Sequence, residues 1–190
     1  DLTWITTVGS DRESDSQFRT RLRAQWGTLS TGSPVSAYEN KALGITGVTR
    51  VRVDDGNPDG PGSVRVYIDA SSAVSSLQAV LDGWRPVGTK ATAYAATTQT
   101  VTIPGVVTVS RAYRATAEAQ VTSNLTNLAR RIQIGGKVIQ AQVEEAIMAA
   151  LPDDSVSDFA MGSSWAGTPN IQLGPSAIPQ FSLSLTFVEV

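Results

Sequence analysis

The sequence predicts an α+β fold, with helices packed on antiparallel or mixed sheets. Two stretches, GVTRVRVDD and GSVRVYIDA, alternate apolar and polar residues as half-buried strands do. In contrast, Val74, Leu77, Val80, Leu81 and Trp84 recur at three and four, as on one face of a helix. A third observation is a weak internal echo. GSPVSAYENKALGITGVTRVRV and GKVIQAQVEEAIMAALPDDSVSDFAM both run glycine, helix, short turn and strand, which suggests two helix-strand-strand halves with helices on one face of the sheet. The coarse division is a helix-hairpin-helix-strand region over 1–110 and a C-terminal α+β region over 111–190.

The first element is read from GSDRESDSQFRTRLRAQW, where seven of the thirteen residues from Asp11 to Arg23 are charged. Asp11, Glu13 and Asp15 come early and Arg19, Arg21 and Arg23 come late, the polarity a helix dipole favours. Ser10 with Glu13, and Ser14 with Gln17, are overlapping capping boxes, so a helix is expected to start near Ser14 and stop at Gly27. Phe18, Leu22 and Gln25/Trp26 make one narrow apolar stripe with the arginines on its flanks. The stretch reads as a capped surface helix docked by Phe18 and Leu22; the sharper reading is a helix that binds a partner.

A second helix is expected from about Pro34 to Leu43, with Ser33-Pro34 and Ser36-x-x-Glu39 as start signals and Gly44 as its stop. The two alternating strands follow, joined by the turn-dense DGNPDGPG as an antiparallel hairpin with a long connection. The Val74–Trp84 helix closes at Pro86. Strands are next read in KATAYAA and TVTIPGVVTVSRAY, where Pro104-Gly105 marks a bulge or an edge position. Ala117, Val121, Leu125, Leu128 and Ile132 predict a long helix ended by Gly135-Gly136, and a further helix is expected from about Val138 to Leu151 with Pro152 as its stop. VSDFAM and FSLSLTFVEV read as strands, with GSSWAGTPNIQLGPSAIP a long loop between them. The expected core comprises Val48, Val51, Val53, Val64, Val66 and Ile68 on the strands. The helices add Leu77, Val80, Leu81, Val143, Ile147 and Leu151.

Composition narrows the chemistry. With 190 residues the chain can bury roughly 70% of its unfolded surface, so no disulfide or metal staple is needed. It contains no cysteine and no histidine, which removes thiolate nucleophiles, the usual zinc sites and every Ser-His-Asp or Cys-His arrangement. The net charge is −2 and the basic residues are mostly isolated arginines, so no stripe marks a phosphate backbone. No apolar run reaches membrane length and no secretory signal is read. The chain opens on Asp1, and a fragment of a longer protein or a processed one is expected.

Several local patterns invite a catalytic or metal reading. Asp55-Gly56-Asn57-Pro58-Asp59-Gly60 matches the first half of a calcium loop, but the position for the bidentate Glu is Val66 and strands flank it. Gly162-Ser163-Ser164-Trp165-Ala166 resembles a nucleophile elbow without its final glycine or a histidine base. A Ser-Lys pair would need Lys41, Lys90 or Lys137 desolvated near a serine. Asp54, Asp55 and Asp59 could supply a glycosidase pair, yet solvated Asp is the default in a turn. GGKV lacks the upstream glycine and the Ser/Thr of a phosphate loop. No catalytic residue, cofactor or metal is expected.

The order of motifs carries more. GSDRESDSQFRTR, GSPVSAYENKAL, GVTRVRV, PGSVRVYI and the helix ending WRPVG together resemble the baseplate J-like proteins of contractile phage tails and related injection machines. The resemblance runs from Gly9 to Val109, and IQLGPSAIPQFSLSLTF is similar to the family's C-terminal strand region. Its most specific pieces are the Gly-x-Asp-x-Glu-Ser opening and the Arg85-Pro86-Val87-Gly88 turn. The resemblance implies a non-catalytic structural subunit of the baseplate wedge, forming contacts in a six-fold ring around the hub. The expected location is the virion tail baseplate, assembled in the bacterial host cytoplasm. Its implied partners are other wedge subunits and itself, with no nucleic acid, membrane or small-molecule substrate. Within such a ring Arg19, Arg21 and Arg23 make sense as partner-facing residues that set register. The family usually carries further sequence before the opening motif, so an upstream segment is expected to be missing. A reading from another class is a tail-associated receptor or carbohydrate-binding module with Trp165 as its stacking residue, against which stand 6% aromatics without a cluster. A glycosidase is the third.

Overall fold

The computed structural model describes residues 15, 18, 19, 22, 34–150, 156–161 and 170–189. Helix α1 (Val35–Leu43) enters behind Pro34, whose backbone is extended, and ends at Gly44. No side chain caps its first turn, so the expected Ser36-Glu39 box is not formed. Strands β1 (Val51–Asp54) and β2 (Ser63–Ile68) make the expected antiparallel hairpin, Val51 opposite Ile68 and Val53 opposite Val66. A 3-10 turn at Ser71–Ala73 feeds helix α2 (Val74–Trp84). That crossover lays β3 (Lys90–Ala95) parallel to β2, in the order β1-β2-β3. The turn between α2 and β3 closes through Thr89 N–H to the Pro86 carbonyl at 3.1 Å, with Gly88 at φ +86° in the position where a type II turn demands it.

The α2 stripe lands on this sheet as its periodicity requires. Val66, Ile68, Leu77 and Leu81 are fully buried in one cluster with Tyr38, Ala42, Ala91 and Ala93, and Val51, Val53 and Val64 pack half-buried against it. Alanines on β3 let α2 approach closely. There Gln78 donates to the Ala91 carbonyl at 3.1 Å and accepts from Ala93 N–H at 2.8 Å, occupying backbone groups of the outer strand.

The chain continues with β4 (Thr97–Val109), α3 (Arg114–Arg131), β5 (Lys137–Ile139), α4 (Gln140–Met148), β6 (Val156–Met161), β7 (Asn170–Gln172) and β8 (Ala177–Glu189). The second sheet has the order β6-β4-β8, with β6 antiparallel and β8 parallel to β4. Helix α3 packs on β8 and α4, and α4 on β6. Val101, Ile103, Val107, Ala117, Val121 and Leu125 are buried in a second cluster that Val143 and Ile147 complete. The architecture is α+β, as expected, with helices on mixed sheets. The strands of the two echoed stretches differ in their pairing: β1 bonds β2 directly, whereas β6 and β8 flank β4 on opposite sides.

Three expectations are corrected. The helix placed at Val138 starts at Gln140, because Lys137–Ile139 pairs antiparallel with β7 and sinks Val138 into the core; Leu151 and Pro152 lie outside the described residues. The long loop before the last strand therefore contains β7, and β8 begins at Ala177, well before Phe181, because its ladder with β4 starts at Thr97. Pro104-Gly105 lies in the middle strand of its sheet and carries no bulge, the register shift coming later, between Thr108 and Val109, while the edge alternative holds locally at Pro104. Among the described residues β6 pairs only from Gly105 on, which leaves Pro104 one neighbouring strand, as a residue without an N–H requires. Gly105 itself is a close approach: a Cβ there would sit 2.5 Å from the Phe159 ring.

Candidate functional site

The expected partner helix is described at Asp15, Phe18, Arg19 and Leu22, all helical and exposed. Phe18 is 44% and Leu22 42% exposed, so the apolar stripe read as a docking face is not buried by the described residues. Arg21 and Arg23 lie outside them, as do Trp165 and the Gly162–Ala166 stretch.

In the loop with the half-match to a calcium site, oxygen after oxygen has a protein donor. Asp54 Oδ1 accepts from Gly56 N–H at 3.1 Å, and Asn57 Oδ1, on a residue at φ +57°, accepts from Gly62 N–H at 2.9 Å. Asp59 is gripped by Arg65, whose Nε donates to Oδ2 at 3.0 Å and whose Nη2 donates to Oδ1. That hydrogen-bonded guanidinium holds the Asp59 carboxyl below the usual carboxylate range. Among the described residues no three carboxylate, histidine or cysteine side chains converge as a metal site. Calcium titration of the purified chain is expected to leave its melting temperature unchanged, whereas a ligand binding the native loop would raise it by mass action.

Arg65 also lies 5.5 Å from the centre of the Tyr94 ring, itself 5.7 Å from Tyr67, so the first sheet presents a polar and aromatic outer face. The lysine a Ser-Lys pair would need is otherwise engaged at one position: Lys41 Nζ lies 5.5 Å from the ring centre of Trp84, which meets Tyr38 edge-on at 5.1 Å.

The densest electrostatic feature joins the two cores, and sequence patterning does not reveal it. Asp69, just past β2, accepts from Thr49 N–H at 3.0 Å, Arg50 N–H at 3.1 Å and Arg50 Nε at 3.2 Å, with the Thr49 hydroxyl as a further donor. Burial works against its charge, yet the hydrogen bonds from Thr49 and Arg50 outweigh it and set the carboxyl below its ordinary pKa. The other end of Arg50 crosses to the second unit, where Nη1 donates to the carbonyls of Ala129 at 2.9 Å and Ile132 at 3.1 Å. These are orphan acceptors at the negative end of α3, so a cation is favourable there twice over. Arg52 reaches the Ile134 carbonyl at 3.5 Å. Gly135, at φ +69°, leaves room for it: a Cβ there would run into the guanidinium and lie 2.8 Å from the Pro175 carbonyl.

Residues 30–95 match the model of the family described as Baseplate J-like central domain. The first core is thus similar to a baseplate J-like central domain. The match takes in α1, β1, β2, α2 and β3, hence the whole of the first sheet and both of its helices. The Arg85–Gly88 turn falls within it, and the charged opening stretch precedes it. No curated protein matches the chain at a significant level. The matched family's description points to a structural role in a phage tail baseplate.

Proposed function

We propose that this protein is a structural subunit of the baseplate wedge of a contractile phage tail or related injection machine, making inter-subunit contacts in a six-fold ring around the hub. The baseplate J-like domain carries this reading. Further support comes from the junction, where Arg50 and Arg52 tie that domain to α3 and the turn after it. A subunit that bears load from its neighbours needs its two cores coupled, and charge-assisted bonds to fixed carbonyls supply a directional coupling. Arg19, Arg21 and Arg23 are proposed to face a wedge partner, with the exposed Phe18 and Leu22 beside them.

Replacing Arg19 and Arg23 with Glu tests the interface. Exposed substitutions away from caps and core change stability by less than about 0.5 kcal/mol, so the chain should melt as before. Like charges brought together at an interface cost several kcal/mol, and a closed ring repeats the contact. The yield of complete tails from cells carrying the double variant should therefore fall. Normal yield with a folded chain would make this helix an ordinary solvated surface, and an unfolded chain would assign the arginines to the fold.

A further inference from the structure

We infer that β8 pairs edge to edge with β8 of a second copy of this chain, antiparallel and centred on Ser184, joining two three-stranded sheets into one. The inference rests on β8 and not on the baseplate reading, and its first support is an undefended edge. β8 is 13 residues long and lies at the end of its sheet. From Gln180 to Val188 it has no charge, proline or glycine, the devices by which proteins blunt exposed edges. Among the described residues no element hydrogen-bonds its outer side beyond Ala177, where Gly135 N–H donates to the carbonyl. On the first sheet, Gln78 occupies backbone groups of β3 and β1 is four residues long.

The second support is incomplete burial. On central β4 the inward residues Val101, Ile103, Val107 and Val109 are at most 3% exposed. On β8, Phe181, Leu183 and Phe187 stand opposite Val101, Ile103 and Val107, and with Leu185 they pack against the same cluster only half-buried. A groove of about 320 Å³ opens between α3 and β8, lined by Phe181 and Leu183 from the strand and by Thr122 and Thr126 from the helix. Leu125 and Ala129 add apolar surface to it, beside the Arg50 and Arg130 side chains, so it offers a partly apolar wall to side chains arriving from across the edge.

The sequence itself chooses the occupant. Phe181-Ser-Leu-Ser-Leu-Thr-Phe187 reads almost the same in both directions about Ser184. In an antiparallel pair centred there, Phe181 faces the partner's Phe187 and Leu183 the partner's Leu185 on the inner face. On the outer face Ser182 meets the partner's Thr186, and Ser184 meets its own copy. Aromatic, aliphatic and hydroxyl residues thus each meet their own kind, the cross-strand matches that stabilise sheets. One two-fold axis, normal to the sheet at Ser184, generates every contact, as an isologous dimer requires. Since the edge is uncharged, an identical strand brings no repulsion.

The test uses the whole chain, which has no native cysteine. Sedimentation should show a reversible monomer–dimer equilibrium at micromolar concentration, and Ser184→Lys, which sets like charges directly opposite, should raise Kd about tenfold or more. Single cysteine variants then read the register under mild oxidation. Opposed residues of an antiparallel pair have Cα atoms about 4.5–5.5 Å apart, within disulfide reach, so Ser184→Cys should cross-link to a dimer. Ser182→Cys should not, because its two copies would lie four residues out of register, about 13 Å apart. A chain that stays monomeric, a dimer indifferent to Ser184→Lys, or equal cross-linking from both cysteine variants would overturn the inference. If Ser184→Lys fails to fold, as circular dichroism would show, the cysteine pair alone decides.

Discussion

Leu81→Ala should destabilise the chain by about 2 to 5 kcal/mol, the range for deleting a fully buried leucine whose cavity cannot collapse. Leu81 is 0% exposed, one helical turn after Leu77, and shares its cluster with Val66, Ile68 and Ala93. For a chain of this size each kcal/mol lowers the melting temperature by about 2 to 4 °C, so a drop of roughly 4 to 20 °C is expected by calorimetry or circular dichroism. Val80→Ala, one position earlier and only half-buried, should cost less. Equal losses at the two positions, or none at Leu81, would mean that α2 does not pack by this face.

Asp69→Ala is the second large effect, about 1 to 3 kcal/mol, because removing the carboxylate leaves the part-buried Arg50 guanidinium and two backbone N–H groups without their acceptor. The Arg50 and Asp69 side chains are 12% and 8% exposed, and Asp69 also satisfies two backbone N–H groups that would lose their acceptor. Asp69→Asn keeps the shape and removes the charge, so it isolates the pH dependence. The carboxyl's pKa is depressed in the folded chain. Its contribution is therefore complete above the unfolded value near ~3.9 and is lost as pH falls from there through the folded value. Melting curves at stepwise lower pH should show the native chain losing more stability below about pH 4 than the Asp69→Asn variant. Parallel curves would show that the pair contributes nothing through charge.

The helix α2 and the β1-β2 hairpin were legible because their signals are local. Val74, Leu77, Leu81 and Trp84 specify one face of a helix, Pro86 prevents its continuation, and the observed bounds, Val74–Trp84, follow. Helix α1 was legible through Pro34 and Gly44, although its capping box was not used. Val138 and Ile139 read as helix for a reason that also lies in the signal. A short apolar pair beside an amphipathic helix fits the helix's own period, and only β7, more than thirty residues on, provides the ladder that makes it a strand.

Of the candidate site, the sequence alone marked the charged opening helix, the loop between β1 and β2, and the order of motifs that resembles the baseplate J-like family. It also marked the inward residues of the β1-β2 hairpin and of α2, since a period of two and a period of 3.6 are properties of the chain itself. Beyond the β1-β2 hairpin, the tertiary structure alone decided which strands are neighbours. It put β4 at the centre of a sheet, left β8 at its edge, and turned Arg50 and Arg52 from the polar side of a strand into bonds to the α3 C-terminus and the turn beyond it. The physical reason is the range of the interactions: alternation and capping act over a few residues, whereas Arg50 finds its acceptors about eighty positions away, where only folding brings a helix end within reach.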